Sequence, residues 1–384
     1  MIPFIHTADW QLGKPFAGVE DPQKRALVQT ERLDAIRRIG DVVRQSQARF
    51  VIVAGDFFDS PTPTNATVAN AFDAIRSLGV PVLAIPGNHD HGGPDSLWEQ
   101  DFFLREHARL APNFRVLLSR EPVELDDAVL LPCPLLRRHE ADDPTAWIRT
   151  LDTTRLGAKP RIVLAHGSTQ NFSGESDDEE HASQANFIDL SRLPSEDLDY
   201  IALGDWHGFV QAGPKAWFSG THEIDRFPRA DQQPGHVIFA TAGRGVAPRV
   251  EAVRTGRLQW REQAFTLDDD DGPQRMNDIL EQAILPGGPH ETLVKLALHG
   301  SLSLAARKML DEILESWRAR LIRLRLEDAV HLTPSQQEIE SLTDRPVDPI
   351  ISRVAAELVP LLAAGGEEGA VARKALNLLH SLCR

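Results

Sequence analysis

The chain has 384 residues, of which 42% are hydrophobic and 25% are charged, and its formal net charge at pH 7 is -15. No segment approaches the roughly 20 apolar residues of a membrane helix, which excludes an integral membrane protein, and the excess of acid argues against a chain that coats DNA by itself. The length exceeds that of a usual single hydrophobic core, so we expect two domains.

The N-terminus and the cysteines predict a cytoplasmic protein. The first ten residues, MIPFIHTADW, have no basic region followed by a long apolar segment and a small-residue cleavage site, so no secretory signal is expected. Cys133 and Cys383 lie far apart and lack the spacing of metal ligands, so we expect both to be inert thiols.

The first part of the chain alternates strands and helices. Short apolar or β-branched runs predict buried strands, which are Ile2–Ile5, Phe50–Val53, Val82–Ile85, Ile162–Ala165, Tyr200–Leu203 and His236–Ala240. Helices are predicted over Gln23–Arg44 and Thr64–Leu78. After Gly208, the segments AWFSG, GHVIFATAG and RLQWREQAF predict antiparallel strands that complete a second sheet. This order predicts a layered α/β sandwich.

The acidic run at Asp268–Pro273 is the predicted domain boundary, because it ends in Gly and Pro and separates two patterns. We predict a large domain over residues 1–267, a smaller α+β domain over 273–345 and a helical tail over 346–384. The smaller domain has two alternating segments, LVKLALHG and IRLRLEDAV, around a segment with helical periodicity. The leucine stripe of the tail is predicted either to pack inside the chain or to dock a partner.

Five polar motifs directly follow predicted strands: HTADWQ, GDFFD, GNHD, AHG and GDWHG. In layered α/β folds the carboxyl ends of the strands line the ligand crevice, so we expect the polar side chains of these motifs to converge. Those side chains are Asp9, Asp56, Asn88, His166, Asp205 and His207. Carboxylate, imidazole and amide oxygen together suit a pair of divalent ions such as Mn²⁺, bridged by one carboxylate. Each motif alone could be a turn or a structural residue, and the succession of five favours a metal centre.

The series HTADW, GDFFDSPTP, PGNHD, AHG, DYIALGDWHG and WFSGT resembles the calcineurin-like metallophosphoesterases. Within them it is most similar to the SbcD-type nuclease subunits of bacterial DNA repair complexes. The resemblance covers roughly residues 1–265 and implies a layered α-β-β-α sandwich. By architecture alone, the later module resembles the capping domain of such nucleases.

The resemblance also implies the ligand sets. It places Asp9, Asp56 and His207 around one ion, and Asp56, Asn88 and His166 around the other, with Asp56 as the bridge. Two ions about 3.5 to 4 Å apart clamp an in-line displacement and bring a bound water towards a pKa of about 7. Mn²⁺ is the expected ion, with Mg²⁺ as the alternative.

His89 is not a ligand in this scheme. The resemblance implies that His89 contacts the scissile phosphate or protonates the leaving oxygen, and that Asp59 of GDFFD orients its ring. An imidazole beside an orienting carboxylate suits the role of a general acid.

Two positions depart from the family pattern. Gln11 stands where the first motif usually has a histidine, and Asp205 stands where the last motif usually has its first histidine. If both are oxygen ligands, the centre is retuned towards Mn²⁺ or Mg²⁺ and away from Zn²⁺. The alternative is a weakened centre with low or lost activity.

Further candidates lie outside the motifs. Arg137, Arg138 and His139 form a short basic cluster that could contact a phosphate backbone or be an ordinary surface cluster. His222 could touch substrate at the rim of the crevice, but a structural role is the safer expectation. The acidic run Glu175–Glu180 is expected to be a solvated loop rather than a ligand set.

Three functions follow from this pattern. The first is a metal-dependent DNA exonuclease or endonuclease that works with an SbcC-like ATPase carrying a coiled coil, and that forms a homodimer by resemblance. The second is a phosphodiesterase or phosphatase for small molecules, which the acidic charge would suit. The third is a regulatory scaffold with a degenerate metal site, for which Gln11 and Asp205 are the motive.

Overall fold

The computed structural model describes residues 1–172, 185–333, 335–363 and 366–382. Clusters of mutual contacts divide the chain into two units, Met1–Leu258 and Gln259–Arg384. None of the helices within the described ranges combines the length and the apolarity that crossing a lipid bilayer requires.

The described part of the first unit contains twelve strands, in chain order β1 (Ile2–Thr7), β2 (Val51–Ala54), β3 (Val82–Ile85), β4 (Phe114–Val116), β5 (Val123–Glu124), β6 (Val129–Cys133), β7 (Arg161–His166), β8 (Tyr200–Gly204), β9 (Val210–Gly213), β10 (Ala216–Phe218), β11 (His236–Gly243) and β12 (Val246–Arg254). Its α-helices are α1 (Pro22–Ser46), α2 (Asn65–Arg76) and α3 (Asp101–Leu110).

These strands form two six-stranded sheets, ordered β12-β11-β1-β2-β3-β4 and β5-β6-β7-β8-β10-β9. Strands β1 to β4 are parallel to one another, as are β6, β7, β8 and β10. The remaining pairs are antiparallel. Because parallel strands run in the same direction, the carboxyl ends of β1, β2 and β3 lie at one edge of their sheet, and those of β7 and β8 lie at one edge of theirs.

The core between the two sheets explains why the central strands are nearly continuous apolar runs. Phe4 and Tyr200 belong to the cluster between the sheets, whereas Ile5 belongs to the cluster under the helices. A strand covered on both faces has no solvent-facing positions, so it needs apolar residues throughout. The ring of His6 hydrogen-bonds the Tyr200 hydroxyl at 3.0 Å and thereby links β1 to β8.

The helices begin where the sequence predicts. Asp21 caps α1 by accepting from two main-chain N–H groups, and Pro22 follows at the first helical position. Thr64 caps α2 by accepting from the Thr67 N–H. The outer face of the second sheet is covered differently, by the short 3-10 helices Ala146–Thr150, Thr153–Leu156 and Leu190–Arg192. The layered α/β class is therefore confirmed, with 3-10 turns rather than long helices in the fourth layer.

The sequence assigned the late strands to the wrong sheets. The segment GHVIFATAG is β11, which pairs with β1 in the first sheet, and RLQWREQAF belongs to the second unit. Only AWFSG contributes, as β10, to the second sheet. Short apolar runs carry no information about which neighbour a strand pairs with, so this error is of the kind that only tertiary contacts resolve.

The described part of the second unit contains three strands and five α-helices, in chain order β13 (Gln259–Leu267), α4 (Gly272–Ile284), β14 (Thr292–Leu302), α5 (Leu304–Arg320), β15 (Arg323–Leu332), α6 (Gln336–Thr343), α7 (Pro349–Leu358) and α8 (Gly366–Leu382). The strands form a parallel sheet in the order β13-β14-β15. The unit is thus a β-α-β-α-β arrangement followed by helices, and its packing is parallel rather than the expected α+β type.

This pairing also moves the boundary between the units. Strand β13 pairs with β14 from Gln259↔Thr292 to Leu267↔Gly300, so it belongs to the second unit and the division falls after Leu258. The acidic run predicted as a boundary is the loop that leads from β13 into α4. Part of the leucine stripe of the tail packs inside the unit, because Leu376 is buried against Leu342 and Ala355.

We predict that Gly204→Ala lowers the free energy of unfolding by about 2 kcal/mol or more, as overpacking of a closed core does. A Cβ at Gly204 would lie 1.9 Å from the Ala54 carbonyl oxygen and 2.8 Å from His166 Nδ1. Gly213→Ala is the matched control, because a Cβ at Gly213 meets its nearest neighbour, Ala216 Cβ, at 3.6 Å. Urea unfolding measures both variants, and equal midpoints would contradict the steric account.

Candidate metal centre

The five motif loops meet beyond the carboxyl ends of β1, β2, β3, β7 and β8. Main-chain hydrogen bonds tie the first two loops together: the Asp9 N–H donates to the Gly55 carbonyl at 3.1 Å, and the Gln11 N–H donates to the Asp56 carbonyl at 2.9 Å. The polar side chains of motifs far apart in sequence are thereby held at one place.

His166 lies at the middle of this group. Its Nδ1 hydrogen-bonds the Ala54 carbonyl at 2.9 Å, which fixes the ring. Its Nε2 faces three oxygen atoms, Asn88 Oδ1 at 2.8 Å, Asp56 Oδ1 at 3.4 Å and Asp205 Oδ1 at 3.8 Å. Four ligand-type atoms from four loops therefore face a common point.

The electrostatics of this point favour a cation. Burial by itself would lower the pKa of His166, but the carboxylates of Asp56, Asp9 and Asp205 outweigh burial and raise it to about 9. The ring therefore holds a proton as imidazolium where it would ordinarily be neutral. A divalent ion bound at Nε2 takes the place of such a proton, because imidazole ligates metals in its neutral form.

Asp9 adds a further buried carboxyl group that a nearby positive charge would stabilise. Its side chain has no exposure, and both of its oxygens accept from the Asp205 main-chain N–H at 3.2 Å. Burial raises the pKa of Asp9 well above its ordinary value, and the Asp56 and Asp205 carboxylates add to that effect. Ligand atoms of Asp9, Asp56 and His166 all lie within 4.8 Å of one another. This donor set fits a divalent cation.

The backbone is held in an unusual conformation at four of the motif residues. Asp9, Gln11, Asp56 and Asp205 have φ angles of 52°, 40°, 51° and 104°. Residues other than glycine adopt positive φ at a cost, and such strain persists where the surrounding structure enforces it, often at functional sites. Here the hydrogen bonds between loops supply that enforcement.

Gln11 is placed differently from its expected role as an oxygen ligand. Its Oε1 accepts from Lys14 Nζ at 2.9 Å, and its Nε2 lies 3.4 Å from Asp56 Oδ2 and 3.5 Å from His207 Nε2. The amide therefore turns its nitrogen, which is not a metal ligand, towards the centre. His207 is oriented from its other side by Asp225, with Nδ1 to Oδ1 at 3.3 Å.

His89 stands beside the group with its side chain 36% exposed. Its Nδ1 hydrogen-bonds the main-chain carbonyl of Asp59 at 2.8 Å, and its Nε2 lies 3.9 Å from Asp56 Oδ2. Asp59 therefore contacts the His89 ring as expected, but through its peptide oxygen rather than through its carboxylate. Burial raises the pKa of the Asp59 carboxyl.

Arg32 is a supporting residue that sequence reasoning missed. Its side chain is almost fully buried, and its guanidinium donates to the main-chain carbonyls of Asp9, Trp10 and Glu223. It thereby fixes the loop that carries Asp9. The sequence contained a signal for this role, because Arg32 follows Val28 at an i, i+4 spacing on the buried face of α1. A charged residue is rarely buried unless its charge is paired or hydrogen-bonded.

Asp90 has a similar bracing role in the GNHD loop. One carboxylate oxygen accepts from the Gly87 N–H at 2.8 Å and the other from the Phe58 N–H at 2.9 Å, so Asp90 joins two motif loops. Burial raises the pKa of Asp90 to about 7, and the nearby Asp56 carboxylate adds to that shift. The motif was recognised from the sequence, but the bracing function was not assigned.

His222 does not lie at the rim of the crevice, which contradicts the substrate contact considered for it and agrees with the structural role. It has no exposure, and its Nε2 hydrogen-bonds the Arg32 carbonyl at 2.8 Å. Burial lowers the pKa of His222 well below its ordinary value, so the ring is neutral. A residue enclosed in this way supports the fold and does not reach substrate.

Arg137 and Arg138 are both exposed and follow the carboxyl end of β6. Leu135, two residues before Arg137, donates its N–H to the Pro86 carbonyl at 3.3 Å and accepts from the Gly92 N–H at 2.8 Å. The chain just before the two exposed arginines is therefore hydrogen-bonded to the loop that carries the GNHD motif.

Two predictions concern residues that the described ranges do not include, the acidic run Glu175–Glu180 and the thiol of Cys383. The other cysteine, Cys133, is buried, and burial raises its pKa to about 12, as expected for an inert thiol.

Comparison with known proteins agrees with the motif series. The sequence model of the calcineurin-like phosphoesterase family matches residues 2–239. Among solved structures, the chain is similar to a dimetal phosphatase from Danio rerio, with 14% identity and a TM-score of 0.34 over 65% of this chain and 98% of the other. A likeness of that size carries no argument about function.

We predict that Asp56→Asn weakens Mn²⁺ binding by about 100-fold or more, because a buried charge at the centre of the ligand set is lost. Asp59→Asn is the matched control, since Asp59 lies in the same motif but is not in the group of ligand atoms formed by Asp9, Asp56 and His166. Calorimetric titration of the metal-free protein measures both, and equal weakening would contradict the assigned ligand set.

Proposed function

The chain belongs to the calcineurin-like phosphoesterase family, and we propose that it hydrolyses phosphodiester bonds of DNA with divalent metal ions bound in this centre. The observation that carries the proposal is the convergence of buried Asp9, Asp56 and His166 beside the partly exposed imidazole of His89. A buried anionic group and an accessible proton donor are the two components that metal-assisted hydrolysis requires.

The protein residues have separable tasks. Asp56, Asn88, His166 and Asp205 hold an ion, and Asp9, Asp56 and His207 are the residues available to a second one, as the family resemblance implies. When bound, the metal would polarise the phosphate of the substrate and lower the pKa of a water molecule. We propose Mn²⁺, because the Asp205 carboxylate adds a hard oxygen donor that suits Mn²⁺ or Mg²⁺ better than Zn²⁺.

His89 is the proposed proton donor to the leaving oxygen. Its Nδ1 is committed to the Asp59 carbonyl, so the ring presents Nε2, which in the protonated state carries the transferable proton. The partial exposure of the ring gives a substrate access that the buried His166 and His207 lack.

DNA is the proposed substrate because two exposed arginines follow β6 on the side of the GNHD loop. Arg137 and Arg138 can pair with phosphate oxygens of a strand whose scissile bond lies at the centre. The net charge of -15 limits how much DNA affinity the chain supplies by itself. A phosphodiesterase for small molecules is the second candidate, and the acidic charge favours it.

We further propose that an SbcC-like ATPase with a coiled coil binds the helical tail and supplements DNA affinity. The tail exposes large apolar side chains, among which Val347, Ile350 and Val371 are 98%, 75% and 61% exposed. Exposed apolar groups on helices are suited to partner docking.

Co-purification with such an ATPase, compared between the wild-type chain and Ile350→Asp, tests the contact. Light scattering tests the proposed homodimer.

We expect His89→Ala to lower turnover by about 10²-fold while Mn²⁺ content stays unchanged, as for loss of a general acid. Asp59→Asn should retain turnover within a few fold, because the peptide carbonyl that orients His89 is kept. Turnover of a generic phosphodiester and metal analysis of the purified variants provide the two readouts. Wild-type protein that binds metal but cleaves no phosphodiester would instead support the regulatory scaffold.

The double substitution Arg137→Gln with Arg138→Gln should raise KM for duplex DNA by about tenfold, since each lost phosphate contact weakens binding. It should leave cleavage of bis(p-nitrophenyl) phosphate unchanged. The control pair, Arg105→Gln with Arg109→Gln, removes the same charge from the exposed face of α3. If both double variants raise KM for duplex DNA equally, the increase reflects net charge alone. If neither variant changes KM, a small-molecule substrate is favoured.

A further inference from the structure

Three buried side chains and the partly buried Lys14 form a closed ring of hydrogen bonds on one side of the metal centre. Lys14 Nζ contacts Asp225 Oδ2 at 2.5 Å and Gln11 Oε1 at 2.9 Å. Gln11 Nε2 lies 3.5 Å from His207 Nε2, and His207 Nδ1 lies 3.3 Å from Asp225 Oδ1, which closes the ring. We call this group the Lys14 ring.

The chemistry of the ring fixes the role of every atom. An ammonium group only donates, so Lys14 requires the oxygen of Gln11 and the carboxylate of Asp225 as acceptors. The amide nitrogen of Gln11 must then face inward as a donor. Asp225 also accepts from His207 Nδ1, so the lone pair of His207 lies on Nε2, where it meets the Gln11 N–H. No other assignment satisfies all four side chains.

This arrangement makes the two halves of the centre unequal. On the His166 side, Asn88, Asp56 and Asp205 turn oxygen atoms towards one imidazole nitrogen. On the opposite side, the Gln11 N–H is directed at His207 Nε2 and at Asp56 Oδ2, 3.4 Å away. Those two atoms are the donors that a second ion would need, and the positive charge of Lys14 stands behind the amide.

Resting on the proposed metal-dependent function, we propose that the Lys14 ring makes the metal centre asymmetric. The position at His166 binds Mn²⁺ tightly, whereas the position at His207 binds a second Mn²⁺ weakly and only when the Gln11 amide turns and opens the ring. Lys14 and Asp225 are thus positioning residues that set the concentration of metal at which the second position fills.

The test is Mn²⁺ binding to the metal-free wild-type chain, followed by calorimetry and by electron paramagnetic resonance without substrate. One ion should bind tightly and the second roughly 100-fold more weakly, because the Gln11 N–H faces the two donor atoms of the second position, His207 Nε2 and Asp56 Oδ2, and the Lys14 ammonium stands behind that amide. Two ions of equal affinity would overturn the proposal while leaving the proposed hydrolysis intact. Absence of any Mn²⁺ binding would overturn the metal-dependent function as well.

Two substitutions test the ring itself. Gln11→Glu keeps the shape of the side chain, so one oxygen can remain on Lys14 while the other faces His207, and the second ion should bind about tenfold more tightly or better. Lys14→Met should act in the same direction, because it removes the fixed charge and frees the Gln11 amide. The first ion should bind with unchanged affinity in both variants.

Lys159→Met is the control, since Lys159 pairs with Glu124 and precedes β7, at the end of the strand opposite His166. It should change neither affinity. Because Lys14→Met leaves Asp225 without its ammonium partner and could unfold, circular dichroism checks each variant and Gln11→Glu decides the outcome. An unchanged second affinity in folded Gln11→Glu would overturn the Lys14 ring as the cause of asymmetry.

Discussion

The molecule is organised around a buried group of carboxylates that is stable only beside positive charge. Asp9 and Asp56 are almost completely withdrawn from water, and a carboxylate in that position must be paired, hydrogen-bonded or bound to a metal. His166 supplies the charge as a proton, and a divalent ion supplies it more fully. The strand order serves this requirement, since parallel strands of two sheets deliver ligands from distant segments to one place.

Residues outside this group hold its members in place. Arg32 fixes the loop of Asp9 through three carbonyl groups, and Asp90 joins the GDFFD and GNHD loops through two N–H groups. These contacts maintain backbone conformations that Asp9 and Asp56 would not adopt alone. The same logic applies to His89, whose ring is set by a peptide oxygen that is itself part of a motif loop.

The two departures from the family pattern have opposite consequences. Asp205 places a carboxylate oxygen 3.8 Å from His166 Nε2, where the resemblance would place an imidazole, so a charged oxygen stands on the His166 side. Gln11 places an amide whose oxygen accepts from Lys14, so its nitrogen faces the His207 side. The two departures therefore bring groups of different charge towards the same centre.

The sequence by itself determined the class of fold, the central strands and the motif series, because apolar runs and the residues that end them are local properties. It also predicted which polar side chains would lie together, since strand ends of an α/β sandwich converge. Tertiary structure alone decided the partners of β11 and β13, the burial of His222 and the acceptor of His89. The orientation of Gln11 is the clearest case, because it depends on Lys14 and on Asp225, which lie 211 residues apart. A local sequence pattern cannot predict a hydrogen bond between segments that only folding brings together.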